Sequence, residues 1–418
     1  LQEDFPDLCV DQQGRPWVVY TEYDGTADTL KIAGKTGDDL TAVGELSAPG
    51  VIHQPAVACD GHGTIWAIWS ELADNGRWKL QARALKDGKV APETMTLESV
   101  SGSAVFADAG TDSKGRVWVT WQSFRGGYSD IYAKFYDPGQ TKWSEDILVT
   151  KDPAGDWEPR LAFGKGDSAW IVFDSSRTGD FNIYVATVGI DGSRRVQAIE
   201  PMPRHQARPS IAAAPDGSGF WVAWESGRQN WGRNSRGVSG KTGLNWGKEV
   251  DAGFFNAADS TFTPLQSPAP AFKRKGVGSL NVPCLGVSAE GKLWLACRFF
   301  FRNHWRIAVT TYDEKEKGWI QSSVMRASNF GQDRRCTWAT GSDGKLWLCW
   351  PSDQRKNKRA LKSGVYLAHL NPNQDRAPLP KYSAKTLTEK AEVPLWGDSP
   401  ERGRDDRHAW SFKGKKYR

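Results

Sequence analysis

From Asp112 to Asp137 the chain reads DSKGRVWVTWQSFRGGYSDIYAKFYD. Val117, Val119 and Trp121 alternate with Trp118, Thr120 and Gln122, a period of two that belongs to strands and not to helices. The Asp-Ser-Lys-Gly ahead of them is a tight-turn signature, so an earlier strand enters through the same hairpin. Residues 123–129 are polar and glycine-containing, and alternation resumes at 130–135. The unit is therefore strand, hairpin, strand, loop, strand.

The same pattern recurs with a marker tryptophan at Trp17, Trp66, Trp118, Trp170, Trp221, Trp294 and Trp347, in steps of 49, 52, 52, 51, 73 and 53 residues. A turn precedes each marker, and an apolar strand such as PAVACD from Pro55 or PSIAAAP from Pro209 precedes most turns. A period near 50 with four strands per repeat predicts an all-β fold, a seven-bladed β-propeller with four-stranded antiparallel blades over residues 1–370. The step of 73 points to an insertion over about 251–279, DAGFFNAADSTFTPLQSPAPAFKRKGVGS, read either as a lid over one face or as an irregular outer blade edge. Residues 371–418, rich in Pro, Lys, Arg and Asp, read as an extended C-terminal tail or a linker to a missing downstream domain.

Composition agrees with many short strands and turns: 418 residues hold 21 Trp and 43 Gly but only three Met, and 39% are apolar. No apolar run is long enough for a transmembrane helix. The net charge of +6 is concentrated, since residues 401–418 carry seven Lys or Arg against three acids. The nearly neutral repeat body argues against a nucleic-acid footprint. A start on Leu1 with folded-type sequence fits either a removed export signal or a trimmed chain, and tryptophan-rich repeats with six cysteines favour an exported protein, periplasmic, surface-bound or extracellular.

In a propeller, the loops between second and third strands and the entries into first strands converge on one end of the central channel, where function is to be sought. The loops repeat a polar pattern: Gln122-Ser123-Phe124-Arg125, Asp174-Ser175-Ser176-Arg177 and Glu225-Ser226-Gly227-Arg228, with looser versions at Arg298–Arg302 and Ser352–Arg355. Successive arginines would form a ring able to hold carboxylates or sulfates. The alternative is structural, with Ser capping the turn and Arg paired to an acid of the adjacent blade. The entries carry His53-Gln54, Asp156-Trp157-Glu158, His205-Gln206 with Arg208, and Asp333-Arg334. His53 and His205 are read as equivalent positions of blades two and five, candidates for a general base or metal ligand, with His304 as a third. Asp156, Glu158, Asp174 and Glu225 are the acids available for a carboxylate pair. Phosphate-loop, serine-hydrolase elbow and zincin motifs are absent.

Cys284 and Cys297 flank a hairpin and fall opposite one another if its turn is centred between Glu290 and Gly291, where a disulfide or two buried thiols would fit. Cys336 and Cys349 are offset by one rung, and Cys9 and Cys59 sit on inner strands of adjacent blades.

The repeated D-x-x-G-x-x-W-V-x-W-x-S-x-R pattern with DIYA-type third strands resembles exported bacterial propellers of the broad TolB-like and sialidase-like class, although sialidase Asp-boxes are not reproduced. The final DDRHAWSFKGKKYR resembles the approach to a PHP-type metal-dependent hydrolase domain that follows a propeller in large secreted planctomycete-type proteins. The resemblance implies a downstream metallohydrolase as partner; its histidine motif is absent from this chain.

Two functions follow as expectations. The first is a non-catalytic propeller whose channel face binds a saccharide or protein, or docks on that hydrolase. The second is a polysaccharide lyase or glycoside hydrolase for acidic glycans, with His53, His205, Arg177 and Arg228 as catalytic candidates. Gln122, Arg125, Asp174, Glu225, Glu158, His304 and Arg334 complete the ligand-binding set. No cofactor is required by the first reading; a divalent cation would enter only with the second.

Overall fold

A computed structural model describes residues 2–36, 39–100, 102–227, 248–272, 277–301, 304–320, 322–324, 335–341, 343–352 and 364–370, with 411–412 and 415–416 in the tail. Seven antiparallel sheets follow one another along the chain, each built in sequence order from inner to outer strand. Blade 1, for example, runs Gln2–Val10, Pro16–Tyr23, Asp28–Thr36 and Asp39–Glu45. In blades 2, 3 and 6 the outer edge is split into two short segments that both pair with the third strand. Three strands of blade 7 are described, Thr337–Thr340, Leu346–Ser352 and Gly364–Leu370. The predicted seven-bladed, all-β architecture is the one observed.

The recurring Asp and Trp are one device. In blade 3, Asp112 Oδ1 accepts from the backbone N–H of Lys114 at 2.9 Å and of Arg116 at 3.0 Å, closing the hairpin. Its Oδ2 accepts from the marker indole, Trp118 Nε1, at 2.9 Å. Asp11 holds Trp17 in the same way at 2.9 Å, and Asp60 holds Trp66 at 3.2 Å. A carboxylate six residues ahead of the tryptophan thus shapes the turn and seats the ring over it. Blade 4 has Gly164 there instead, and the Trp170 ring lies so close that a Cβ on Gly164 would come within 2.5 Å of it.

The core lies between blades. Ala58, Trp66, Ile68 and Leu80 of blade 2 pack with Val117, Val119 and Trp121 of blade 3, and comparable clusters fill the other interfaces around the ring. The last, Leu8, Val18 and Tyr20 against Trp347, Cys349, Val365 and Leu367, joins blade 7 to blade 1. That closure is completed by two polar clasps: Val365 N–H donates to Glu3 Oε2 at 2.9 Å, and Thr337 Oγ1 donates to Asp7 Oδ1 at 2.9 Å.

Two expectations are corrected. The stretch expected as an insertion at 251–279 supplies blade 5 with its third strand, Glu249–Asn256, and its fourth, Thr261–Pro264. Its phenylalanines are blade packing: Phe255 stacks on Phe220 at 4.9 Å, Phe254 meets Trp221 at 5.0 Å and Phe262 meets Trp224 at 5.7 Å. The helical turn Ala269–Phe272 buries Ala271 and Phe272 against blade 6. The extra chain lies earlier, between Ser226 and Lys248, where 228–247 fall outside the described residues. The cysteine register also differs: Cys284 faces Ala296 and Cys297 faces Ala308, because the hairpin turn is centred on Glu290, with Val287 opposite Leu293, and not between Glu290 and Gly291. The described cysteines are all free thiols, and Cys284 instead meets Cys336 of blade 7. Thr337, not Cys336, faces Cys349, as the one-rung offset predicted.

Candidate functional site

Each inner strand of blades 1 to 6 breaks register at the same place, where one non-glycine residue turns left-handed. These residues are Phe5, Gln54, Phe106, Glu158, Arg208 and Val282, with φ between 34° and 56°. Side chains resist that conformation, at a cost of roughly 1 kcal/mol or more each, so a bulge repeated this often has to be held in place. Five of the six precede proline (Pro6, Pro55, Pro159, Pro209, Pro283), which has no N–H to leave unpaired beside a bulge. Counted from the marker tryptophan, Arg335 occupies this position in blade 7.

The polar residues that recur in the second strands hold the bulges. Gln122 Oε1 accepts from Glu158 N–H at 3.2 Å, Asp174 Oδ1 from Arg208 N–H at 3.2 Å, and Glu225 Oε1 from Val282 N–H at 2.9 Å. Each bond runs from one blade to the next, and all three acceptors are buried. Gln122, Asp174 and Glu225 are thus clamps between blades.

The bulged residues form a ring at the channel mouth with two different halves. On one side a chain of alternating charge crosses it. Arg335 Nη2 donates to Glu158 Oε2 at 2.7 Å, and Arg208 Nε lies 3.8 Å from Glu158 Oε1. Arg208 Nη1 donates to Glu225 Oε1 at 3.2 Å, and Lys248 Nζ donates to Glu225 Oε2 at 2.5 Å. Three cations share two carboxylates. On the other side the His53 ring sits among aromatics, 4.9 Å from Phe106, 5.8 Å from Trp78 and 6.2 Å from Phe5. Gln54 lies beside it, buried, with neither amide atom hydrogen-bonded.

Two residues deeper in the channel, Asp7 and Asp108 occupy the matching positions of blades 1 and 3. Asp7 Oδ2 accepts from Val57 N–H and Asp108 Oδ2 from Leu161 N–H, both at 2.8 Å. Burial, followed by the charge of Asp108, pushes the Asp7 carboxyl up to about 6. Burial likewise raises Asp108, with Arg160 opposing.

Among the described residues, the arginines of the recurring loops are engaged within their own blades. Arg177 Nη2 pairs with Asp156 at 2.7 Å and its Nε with Asp152 at 3.3 Å, while the guanidinium lies 5.1 Å from the centre of the Tyr184 ring. Arg125 pairs with Asp146 at 2.7 Å and stacks on Tyr132 at 4.2 Å. Arg298 stacks on Trp305 at 4.2 Å. The repeat therefore places Arg125, Arg177 and Arg298 each on an aromatic of the third strand of its own blade, and Arg125 and Arg177 pair with acids flanking that blade's strands. His53 and His205 are not equivalent: His53 faces Ser70, whereas the residue facing the matching Glu225 is Ala207. His205, buried and 5.5 Å from Phe181, lies two residues earlier. The His304 backbone is in the third strand of blade 6 and its side chain is not described; Arg228 and Arg334 lie outside the described residues. So does most of 405–418, the stretch that resembles the approach to a metallohydrolase. Among the described residues, no three His, Cys, Asp or Glu side chains cluster as metal ligands would.

Glu158 and Arg208 were within reach of sequence reasoning; Arg335, Phe5, Phe106, Asp7 and Asp108 were not selected by it. Their signal was a fixed distance ahead of the marker tryptophan, shared by Phe5, Phe106 and Arg335, with Asp7 and Asp108 two residues further on.

No family model and no curated protein matches this chain. Among solved structures, it is similar to an ulvan lyase described as a new polysaccharide lyase family, with a TM-score of 0.61 at 12% identity over 88% of this chain and 94% of the other. It is also similar to the polysaccharide lyase Uly1, with a TM-score of 0.55 at 10% identity over 85% of this chain and 88% of the other. A microbial sialidase aligns with a TM-score of 0.46 at 10% identity over 78% of this chain and 72% of the other. At these identities the likeness is one of fold.

Proposed function

We propose that the bulged mouth is a saccharide site, and that the protein acts there on an acidic polysaccharide by eliminative cleavage. The observation that carries this reading is the ring itself, which sets a half-buried imidazole and an uncommitted amide opposite a chain with one cation more than its acids. Elimination beside a uronate needs a base for the proton next to the carboxylate and a positive group to stabilise the charge that develops. His53 supplies the base. Arg208 and Arg335, bridged by Glu158, supply the neutralising pair when a substrate carboxylate competes for them. The fold likeness to two proteins named as polysaccharide lyases supports the same class. Arg177 has no catalytic part in this scheme, since it is one cation shared by two acids, Asp152 and Asp156, and leaves no positive charge over.

The test is incubation with alginate, polygalacturonate and ulvan, following ultraviolet absorbance of newly formed unsaturated ends, with His53→Ala and Arg208→Lys alongside. Absorbance from the wild type that both variants lose is the expected result. Binding of a polymer without cleavage leaves a non-catalytic saccharide-binding propeller, and neither binding nor cleavage overturns the reading. A chelator added to an active sample shows whether a divalent cation takes part.

A further inference from the structure

Among the described residues, two large aromatic side chains are exposed, and both belong to the blade-3 loop at the channel face: Phe124, 41% exposed, and Tyr128, 53% exposed. Phe124 stands beside Trp157 of blade 4, whose ring it meets edge-on at 5.8 Å, and Tyr128 follows in the same loop. Trp157 immediately precedes Glu158 and holds in blade 4 the place of His53 in blade 2. Trp157 and Phe124 therefore carry an aromatic surface from the residue beside Glu158 across the border of blades 3 and 4.

The loop is held rigid at both ends. Phe124 N–H donates to the Gly102 carbonyl at 2.7 Å, and Arg125 is locked to Asp146 at 2.7 Å. At the other end Ser129 Oγ donates to the Asp156 carbonyl at 2.7 Å, and Asp156 N–H donates back to the Ser129 carbonyl at 2.7 Å. Gly155, with φ of 77°, leaves the space the Trp157 indole fills: a Cβ there would lie 3.2 Å from Nε1. That indole nitrogen is itself buried with no hydrogen-bond partner. Exposing two aromatics on an anchored loop is unfavourable in water. Such a surface is preorganised for a flat ring.

We infer that Phe124, Tyr128 and Trp157 form an outer subsite that stacks a pyranose ring of the same polysaccharide chain whose acidic unit occupies the mouth. The inference rests on the saccharide reading and adds the direction in which the chain leaves the site, over blades 3 and 4. The arginines beside the platform are engaged with Asp146, Asp152 and Asp156, so the subsite selects the apolar C–H face of a sugar and not its carboxylate.

Phe124→Ala, Tyr128→Ala and the double variant, made in the full chain, test it because neither side chain carries the fold; unchanged unfolding temperatures check that. Affinities are measured for alginate, polygalacturonate and ulvan, each as polymer and as its disaccharide. The double variant is expected to lose about tenfold in affinity for the retained polymer and less than twofold for its disaccharide, with Phe124→Trp restoring polymer binding. Equal losses on polymer and disaccharide, or no loss on either, overturn the subsite while leaving the saccharide reading in place. A wild type that retains none of the three polymers overturns both.

Discussion

Arg335 of blade 7 and Glu158 of blade 4 are 177 residues apart and meet at 2.7 Å across the mouth of the channel. Glu158 is buried and also faces Arg208. A buried pair of this kind contributes little over an apolar substitute, but removing one partner strands the other. Glu158→Ala leaves two guanidinium groups facing each other and should cost about 3 kcal/mol of stability, read as a lower urea midpoint. The same change makes the mouth more positive. Retention on polygalacturonate should rise at low salt and return to the wild-type level at high salt. Lower stability with unchanged retention would mean that the chain of charge only holds the fold.

Asp112 makes a sharper stability prediction because four donors converge on it. Asp112→Ala removes acceptors from Lys114 N–H, Arg116 N–H, Arg116 Nε and Trp118 Nε1. A loss of about 3 kcal/mol is expected from several charge-assisted bonds in one buried turn, with Asp112→Asn roughly half of that. Thermal unfolding of the two variants checks the order. Equal effects would show that the charge, and not the acceptor geometry, matters.

What could be read from the chain, and what could not, follows the same physics. The step from hairpin turn to tryptophan is local, so Trp17 through Trp347 marked the blades correctly. The misplaced insertion came from Phe254, Phe255 and Phe262, which pack on both faces of blade 5 and so hide the two-residue alternation. The hairpin turn centres on Glu290, half a residue before the assumed position, and so sets Cys284 opposite Ala296, while the inner-strand bulge just beyond it went unnoticed. The recurrence of Gln122, Asp174 and Glu225 was visible, but their task, accepting an N–H from the next blade, depends on that bulge. The contact between Glu158 and Arg335 depends on ring closure, which no local pattern encodes.

Stability should fall as pH rises through the weakly acidic range, and Glu98 is one cause. Burial raises its carboxyl to about 7, with the charge of Arg125 opposing. Unfolded, it titrates near 4.5. Between these values the folded state holds a proton the unfolded state has released, so stability is fully present below about 4.5 and is lost as pH climbs toward 7. The linkage amounts to about 3 kcal/mol at most. Glu98→Gln, next to Arg125 and Asp146, should flatten that slope, raising the urea midpoint at pH 8 and leaving it nearly unchanged at pH 4. An unaltered slope would assign the effect to other groups, Asp7 first among them.

The clasp between first and last blades offers a test with a pH signature of its own. Thr337 Oγ1 donates to Asp7, and this bond helps hold down a carboxyl that burial has raised to about 6. Thr337→Val keeps the shape and removes the donor, so it should cost about 1 kcal/mol through the lost bond. It should also raise the Asp7 carboxyl further. Because a raised carboxylate loses stability as pH rises through its folded value, the variant should be more strongly destabilised at pH 8 than at pH 5. Asp7 Oδ2 takes the Val57 amide and Glu3 takes the Val365 amide, so exchange at Val57 should quicken more than at Val365. A loss that is the same at both pH values would place Thr337 in the closure by packing alone.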